Sequence, residues 1–365
     1  MSYRLAIVGG GTGGHLYPGI AVAEAWIRTI QDSDVVFVGS ERGIEAKVLP
    51  SLGYSLVCVP AERLKNAGLR ERAKSLLRMP RSMFHAWRVL RELRPDVVLG
   101  VGGYVSGPVV LAAALSGVPC AVAEQNALPG LTNRLLSRFV ARIYTAFPEA
   151  ADRLPARKIR PLGNPVREAI CRASDLAPAA GGGRRVLIMG GSQGARALNE
   201  RLPPVLVELS RVFPGLAVRH QTGRGQAEAV RLAYGQDGPG AVVVEEFIDD
   251  VAAALSWADL VVCRSGATTV AELACMGRPA VFIPFPQAAD DHQTVNARAL
   301  VDAGAARMLR EGDATPERLT EVLSELLGTP ALLAEMGQRA RERGRPLAAS
   351  AIASDLASLM GGGKS

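Results

Sequence analysis

The sequence has few aromatic residues, few histidines and no long uninterrupted apolar run. Aromatic side chains make up 5% of the 365 residues and there are four histidines, whereas hydrophobic residues as a whole make up 48%. Such a composition is typical of an Ala/Val/Leu-rich α/β protein and excludes disorder for most of the chain. The longest weakly polar run, Val109 to Ala123, is interrupted by Ser116, Gly117 and Pro119, so we do not expect it to span a bilayer.

The cysteines lack the CxxC spacing that zinc sites and redox motifs share. They are Cys58, Cys120, Cys171, Cys263 and Cys275, and most lie in apolar runs. We therefore expect reduced, buried thiols in the cytoplasm rather than disulfides or zinc ligands. The first residues, MSYRLAIVGGG, enter a strand directly without the features of a signal peptide, which favours the same location.

The formal net charge of +7 indicates an acidic partner. Between Glu62 and Arg94, ten Lys or Arg residues stand against three acidic residues, interleaved with large apolar side chains such as Phe84 and Trp87. This pattern is typical of a segment that lies on an anionic lipid surface. It also fits two solvated helices that pack their apolar residues inward, and the residues alone leave both interpretations open.

A strand, a glycine-rich loop and a helix occur near the start of the chain and again about 180 residues later. The first set is Arg4 to Val8, then GGGTGGH, then a helix from about Pro18, with Pro18 in its first turn. The second is Arg185 to Met189, then GGSQGA, then a helix from Arg196. The recurrence predicts an α/β protein with two doubly wound parallel-sheet domains of similar plan. We expect domains at 1–163 and 164–345, and a last helix at 346–360 that packs back on the first domain.

The stretch from Leu260 to Asn296 is typical of a nucleotide-binding module. A buried strand leads to small residues, hydroxyls and the cation Arg264 where a helix begins, and a helix start favours diphosphate. Glu272 lies about one turn beyond Thr268 and Thr269, where a carboxylate can hold a ribose diol. Gly277 is expected to close the helix in the left-handed conformation. An ordinary βαβ unit with a capped helix is the alternative.

Two further glycine-containing loops follow strands of the first domain. Gly9, Gly11 and Gly14 satisfy GxGxxG and Glu41 follows the second strand, so a dinucleotide site has to be considered. His15, at the end of the first loop, can act as a general base or as a hydrogen-bonded structural residue.

The second loop, GGYVSGP from Gly102, is predicted at the same edge of the sheet. EQNALPGLTNR from Glu124 is either a sugar-binding loop or an amide-stapled turn, that is, a turn held together by hydrogen bonds of amide groups.

Metal binding and several kinds of catalysis are not indicated. Asp32-Ser33-Asp34 precedes a strand, whereas ligands bind beyond the carboxyl ends of strands. Asp249-Asp250 and Asp290-Asp291 are better interpreted as helix caps. No Ser/His/Asp arrangement or Walker lysine is present. Transfer of a group from a nucleotide-linked donor is the simplest chemistry that uses both halves of the chain.

Seven motifs follow one another along the chain: GGGTGGHLYPGIAVAEA, GVGGYVSGP, EQNALPGLTNRLLS, GNPVR, GGSQGARALNE, EFIDD and CRSGATTVAELACMGRPAVFIPFPQAADDHQTVNA. Together they resemble the MurG family of N-acetylglucosaminyltransferases, and the resemblance extends to about Ala306. It implies GT-B architecture, with two Rossmann-like domains facing across a cleft. It also implies inverting transfer from UDP-N-acetylglucosamine to the 4-hydroxyl of the muramoyl sugar of lipid I, forming lipid II.

The resemblance assigns residues position by position. Those implied for the donor are Thr12, Gly13, Gly14, Asn126, Arg167, Ser192, Ile248, Ala267, Thr268, Thr269, Val270, Ala271, Glu272 and Gln293. Among them, Ile248 would read uracil and Glu272 would hold ribose. Phosphate on the acceptor suits the two N-terminal glycine loops, through Gly13, Gly14, Gly102, Gly103 and Tyr104.

His15 is our candidate for the catalytic base, with Glu124 as a hydrogen-bonding helper. The family commonly has histidine before Glu-Gln-Asn, whereas this chain has Ala123.

The partners that the resemblance implies are UDP-N-acetylglucosamine, lipid I and an anionic membrane surface on the cytoplasmic side, without cofactor, metal or nucleic acid. Other cell-wall synthesis proteins stay an open class of partner. The alternatives are a UDP-N-acetylglucosamine 2-epimerase of similar fold, an NAD-dependent dehydrogenase and a non-catalytic membrane-docked binding protein.

Overall fold

The structure, a computed structural model, describes residues 2–41, 43–59, 82–176, 184–191, 193–236 and 238–361. The chain divides into two compact units. Unit 1 comprises Met1–Glu168 and Leu347–Ser365, and unit 2 comprises Ala169–Pro346.

Unit 1 alternates strands and helices. Its strands are β1 Tyr3–Gly9, β2 Ser33–Gly39, β3 Ser55–Cys58, β4 Val97–Gly102, β5 Cys120–Glu124, β6 Arg142–Thr145 and β7 Ile159–Arg160. Its helices are α1 Gly13–Thr29, α2 Glu45–Ser51, α3 at 82–93, α4 Ser106–Leu115, α5 Leu131–Leu136 and the last helix of the chain, α14 Ala348–Gly361.

Unit 2 repeats this plan. Its strands are β8 Arg185–Met189, β9 Ala217–Gln221, β10 Ala241–Glu245, β11 Leu260–Cys263, β12 Ala280–Phe282 and β13 Ala306–Met308. Its helices are α6 Glu168–Leu176, which begins at the boundary, α7 Arg196–Val212, α8 Ala227–Tyr234, α9 Val251–Trp257, α10 Ala267–Met276, α11 His292–Val301, α12 Pro316–Gly328 and α13 Pro330–Arg343.

Each unit contains one sheet, and every described strand pair is parallel. The strand orders are β3-β2-β1-β4-β5-β6-β7 and β10-β9-β8-β11-β12-β13. The winding direction therefore reverses between β1 and β4 and between β8 and β11. Open parallel sheets bind ligands beyond the carboxyl ends of the strands at such a reversal. The predicted glycine loops and the predicted nucleotide module follow these four strands.

The strands form because continuous apolar runs can be buried on both faces of a parallel sheet. All residues of β4 and β11 are buried. In unit 1, α14 adds Ile352 and Leu356 to the hydrophobic cluster that contains Trp26 of α1. A hydrogen bond of 2.8 Å from the Tyr144 hydroxyl to the Asp355 carboxylate also connects α14 to the sheet.

The central strands lie close to their predicted positions, and two local predictions were wrong. Helix α1 begins at Gly13, so Pro18 lies inside the helix rather than in its first turn. Two successive glycines hid this start, because glycine disfavours a helix. The sequence also predicts a strand from Ala280 to Pro284, whereas β12 ends at Phe282. The short strands β3, β6, β7 and β13 were not predicted, since two to four residues carry little periodicity.

Replacement of Ile352 by alanine is expected to destabilise unit 1 by about 2–5 kcal/mol, because it leaves a cavity in a fully buried cluster. Guanidinium denaturation measures the loss. The matched control is Leu347→Ala, which truncates an aliphatic side chain that is 74% exposed in the same terminal segment. Equal transition midpoints for the two variants would contradict the packing of α14 described above.

Candidate active site

His15 lies in the first turn of α1, directly beyond the first glycine loop. Thr12 is the N-cap residue, and its carbonyl accepts hydrogen bonds from the N–H groups of His15 and Leu16. His15 is half-buried, whereas Thr12 and Gly14 are exposed. The helix begins at the carboxyl edge of the sheet, so its partial positive charge is directed at ligands there.

The second glycine loop packs on the first because glycines leave room for it. A Cβ atom on Gly102 would lie 2.7 Å from His15 Nδ1, and one on Gly103 would lie 2.6 Å from the Gly10 carbonyl oxygen. Both residues also have positive φ, of 97° and 86°. The side chain of Ser106, which the sequence analysis missed, accepts the Gly102 N–H and donates to the Val8 carbonyl. The two loops and His15 are thus packed together.

Glu124 holds the loop that follows β5. Its carboxylate accepts hydrogen bonds from the backbone N–H groups of Asn126 and Gly130, both at 3.0 Å, and from the Asn133 amide at 2.8 Å. Glu124 is only 3% exposed. This contact set supports the interpretation as an amide-stapled turn, which fixes the half-buried Asn126 at the sheet edge.

Other predicted residues of unit 1 lie around these loops. The guanidinium of Arg167 lies 4.4 Å from the ring centroid of Tyr17, in a cation–π contact. Tyr104 is 37% exposed beyond the second glycine loop, and Ala123 is buried in the hydrophobic core.

In unit 2, α10 begins as the sequence predicts. Gly266 is its N-cap residue, and Gly277 ends it in the left-handed conformation at φ 62° and ψ 42°. Thr268 and Thr269 are half-buried in the first turn, and Glu272 follows one turn later at 6% exposure. Ala267 and Val270 are buried and Ala271 is half-buried.

Arg264, the cation that precedes α10, makes its contacts within the protein and is not available to an open phosphate site. Arg264 donates to the carbonyl groups of Ile283 and Pro284 and forms an ion pair with Glu311. Its side chain is only 11% exposed. Arg264 therefore ties the ends of β11 and β12 together, which corrects the interpretation of it as a cation available for diphosphate.

Gln293, in the first turn of α11, is tied to the neighbouring loop. Its side-chain oxygen accepts the Phe285 N–H at 2.9 Å, and its carbonyl accepts the Ser265 hydroxyl at 2.8 Å. The start of α11 is thereby held beside the start of α10.

Ile248 is half-buried in the loop between β10 and α9. Asp250, the N-cap residue of α9, accepts the Ala253 N–H as predicted.

The third glycine loop packs on the segment that follows β9. Ser192 lies outside the described residues. A Cβ on Gly194, whose φ is 74°, would lie 2.2 Å from the Thr222 carbonyl oxygen, and one on Gly223 would lie 2.6 Å from Gly194 Cα. The loop that leads into α7 is thus in close backbone contact with the loop at Thr222 and Gly223.

A buried histidine network that the sequence analysis missed supports this contact. The Asn199 amide donates to the Thr222 carbonyl at 2.9 Å, so its oxygen is the atom that accepts from His220 Nε2 at 3.1 Å. His220 Nδ1 then accepts from the Tyr234 hydroxyl at 2.9 Å. His220 is fully buried, and burial lowers its pKa from 6.5 to about 3, so the neutral ring is the form that fits.

The predicted site residues thus form two groups, one at the strand-order reversal of each sheet. Unit 1 brings together Thr12, Gly13, Gly14 and His15 with Gly102, Gly103, Tyr104, Glu124 and Asn126. Unit 2 brings together residues 267–272 and the start of α11. Within the described residues, no three His, Cys, Asp or Glu side chains converge as metal ligands would.

Comparisons with known proteins identify related sequences over both units. The glycosyltransferase family 28 N-terminal domain matches residues 5–145, and the C-terminal domain of the same family matches residues 185–352. The UDP-N-acetylglucosamine–N-acetylmuramyl-(pentapeptide) pyrophosphoryl-undecaprenol N-acetylglucosamine transferase of Myxococcus xanthus is 47% identical, over 98% of this chain and 93% of its own length. The protein of the same name from Syntrophus aciditrophicus is 44% identical, over 96% and 97%.

Solved structures show the same architecture. MurG of Acinetobacter baumannii superposes with a TM-score of 0.79 at 35% identity, covering 98% of this chain and 99% of its own. A UDP-GlcNAc 2-epimerase from Neisseria meningitidis, solved with UDP-GlcNAc, has a TM-score of 0.69 at 14% identity and covers 97% and 100%. The second likeness concerns the fold alone.

The buried His220 is expected to make stability fall in acid. Its pKa is lower in the folded protein than in the unfolded chain, so only the unfolded state binds a proton as the pH falls below 6.5. At about pH 4.5 the cost is about 3 kcal/mol relative to neutral pH.

Denaturation of the wild type and of His220→Gln at about pH 7.5 and about pH 4.5 measures this contribution. The variant is expected to be less stable at the higher pH, and the difference between the two proteins should shrink in acid. A difference that is independent of pH would show that His220 does not stay neutral in the folded state.

Proposed function

The chain belongs to glycosyltransferase family 28, and from that membership we propose that it transfers N-acetylglucosamine from UDP-N-acetylglucosamine to lipid I. The hydroxyl that accepts the sugar is the 4-hydroxyl of the N-acetylmuramyl-pentapeptide, and the product is lipid II for peptidoglycan synthesis. The observation that carries this proposal is the 47% identity, over almost the whole chain, to a transferase named for this reaction. The GT-B fold supports it.

The epimerase alternative is weaker, because the identity to the epimerase is 14%. An epimerase acts on the nucleotide sugar alone. It would have no need of a second phosphate-binding loop pair such as the one that unit 1 places beside His15.

The donor is assigned mainly to unit 2. The start of α10 suits the diphosphate of UDP, because a helix N-terminus presents N–H groups and partial positive charge, and the hydroxyls of Thr268 and Thr269 lie in its first turn. Glu272 accepts the ribose hydroxyls, the backbone of Ile248 reads uracil and Gln293 binds the sugar. Arg264 contributes by holding the strand ends in place.

The acceptor is assigned to unit 1, with its diphosphate on the two glycine loops and Tyr104. His15 acts as the base. Its Nδ1 edge packs over Gly102, so Nε2 is the nitrogen that takes the proton of the acceptor hydroxyl. The oxygen forms a bond to the anomeric carbon from the face opposite UDP, the bond from that carbon to the diphosphate oxygen breaks, and the configuration inverts.

Glu124 contributes to this step by positioning, since its carboxylate is occupied with the loop that carries Asn126. UDP leaves with the bonding electron pair, and the start of α10 stabilises that charge by about 1–2 kcal/mol. Base catalysis supplies about 10²- to 10⁴-fold. Positioning of the two substrates must supply much of the remaining acceleration.

The lipid carrier requires contact with a membrane, and α3 is the described element that suits it. Phe84 is 61% exposed and Trp87 is 41% exposed, and the guanidinium of Arg91 lies 5.1 Å from the Trp87 ring centroid. Aromatic rings beside arginines suit an interface with anionic headgroups. Residues 62–81 of the predicted membrane segment lie outside the described residues.

None of the helices in the described part of the chain is long and apolar enough to cross a bilayer. We place the protein peripherally on the cytoplasmic face of the membrane.

The wild type is expected to release UDP only when a lipid I analogue is present, with formation of a β-linked disaccharide. His15→Ala should lower kcat by about 10²- to 10⁴-fold, because the hydroxyl then loses its proton without a base. Coupled UDP release and product analysis measure both.

His85→Ala on α3 is the matched control and should keep the wild-type kcat on a soluble analogue. Conversion of UDP-N-acetylglucosamine in the absence of an acceptor would contradict the transferase assignment. Turnover of His15→Ala within a few-fold of the wild type would refute only the base assignment.

Replacing both Phe84 and Trp87 by alanine is expected to weaken binding to vesicles of anionic phospholipid by at least about tenfold. The loss corresponds to about 1.4 kcal/mol of apolar burial, less than full burial of one aromatic side chain supplies. Vesicle sedimentation measures it. Leu52→Ala removes another exposed apolar side chain of unit 1, 53% exposed, and should bind as the wild type does. Equal binding by all three proteins would locate the membrane contact elsewhere.

A further inference from the structure

A buried carboxylate lies beneath the first glycine loop. Glu45, the first residue of α2, is 0% exposed. Its oxygens accept the Gly11 N–H at 2.7 Å, the Ser40 N–H at 3.0 Å and the Ser40 hydroxyl at 2.8 Å. Burial alone would raise the pKa of Glu45, but the hydrogen bonds together outweigh burial and hold that pKa below its usual range. The carboxylate is therefore ionised at neutral pH.

The contacts of Glu45 exceed those of a local helix cap. A capping carboxylate bonds to N–H groups in the first turn of its own helix. Glu45 instead reaches Gly11, 34 residues earlier in the chain, and so connects the loop after β1 with the end of β2.

Three glycines make room for this one side chain. A Cβ on Gly10 would lie 2.4 Å from the Glu45 carboxyl carbon, one on Gly43 would lie 2.0 Å from Oε2, and one on Gly39 would lie 2.9 Å from Cγ. Real Cβ atoms do not approach other atoms so closely. The carboxylate is thus confined by backbone on three sides, and the Gly10–Gly11 backbone is confined by the carboxylate.

The first glycine loop is connected by direct contacts to the groups assigned to the reaction. The Gly10 carbonyl lies against Gly103 of the second glycine loop, and Gly102 lies against the His15 ring. A shift of Gly10 and Gly11 would therefore change where Gly103 lies and how the His15 ring is supported. Displacements of about 1 Å at reacting groups can cost about 10²-fold in rate.

We propose that Glu45 is a positioning residue. It holds both N-terminal glycine loops and the His15 ring in the positions that the transfer reaction requires. The inference rests on the proposed function for its kinetic consequence. Its structural consequence, the placement of the His15 ring, does not depend on turnover.

Two variants of the full-length protein test it. Glu45→Gln keeps the shape of the side chain but turns an amide donor toward an N–H or hydroxyl donor. Gly43→Ala keeps the charge but pushes the carboxylate out of place, and its backbone φ is one that alanine tolerates. Glu41→Gln is the control, because it neutralises an exposed acid on the same segment.

Two measurements are made on each protein: kcat with UDP-N-acetylglucosamine and a lipid I analogue, and the imidazole NMR signals. The chain has four histidines, so the His15 signal can be assigned by its loss in His15→Ala. We expect kcat to fall about 10- to 100-fold in Glu45→Gln and Gly43→Ala and the His15 signal to shift. The signals of His85, His220 and His292 should stay in place, and UDP affinity should stay within twofold of the wild type.

A purely structural role would lower the melting temperature of Glu45→Gln while leaving kcat and the His15 signal of the folded protein unchanged, and this result would overturn the proposal. A fall in kcat without movement of the His15 signal would also overturn it, since the loops would then act by another route. Absence of turnover in the wild type would count against the transferase function, whereas the NMR measurement would still decide the role of Glu45.

Discussion

Close approach between backbone segments is the constraint on which both groups of candidate site residues depend. In each sheet, two loops that follow neighbouring strands meet at distances that no Cβ atom tolerates. Gly103 lies against the Gly10 carbonyl in unit 1, and Gly194 lies against the Thr222 carbonyl in unit 2. A parallel sheet brings strand ends to within about 5 Å of each other, and only glycine lets the following loops keep that spacing. Backbone N–H groups are thereby concentrated where a diphosphate can bind.

Buried charges in both units hold loops and strand ends. Glu45, Glu124 and Arg264 each make several hydrogen bonds to backbone groups. A buried charge is costly unless it is paired, so each of these side chains constrains its partners strongly.

Sequence reasoning located the architecture well and the supporting contacts poorly. The sequence predicts four strands of unit 2 to the residue, because each is a short run bounded by turn residues: Arg185–Met189, Ala217–Gln221, Ala241–Glu245 and Leu260–Cys263, which are β8 to β11. The left-handed Gly277 and the Asp250 cap follow from local rules. Arg264 was recognised as a cation, but its partner Glu311 lies 47 residues later and no local pattern connects them. The same holds for Glu45 with Gly11 and for His220 with Asn199. The roles assigned to individual donor and acceptor residues stay predictions.

The division of the chain makes the order of folding differ from the order of synthesis. Unit 2 is one continuous segment, whereas the core of unit 1 includes Ile352 and Leu356 from the last helix. Chains emerge from the ribosome N-terminus first, and domains fold as units. Residues 2–168 therefore emerge with the Trp26 cluster still uncovered, and unit 2 can complete its core before them. A translation product that stops before α14 would carry an unfinished first sheet with an open apolar face, which makes it a substrate for chaperones and proteases rather than a half-active enzyme.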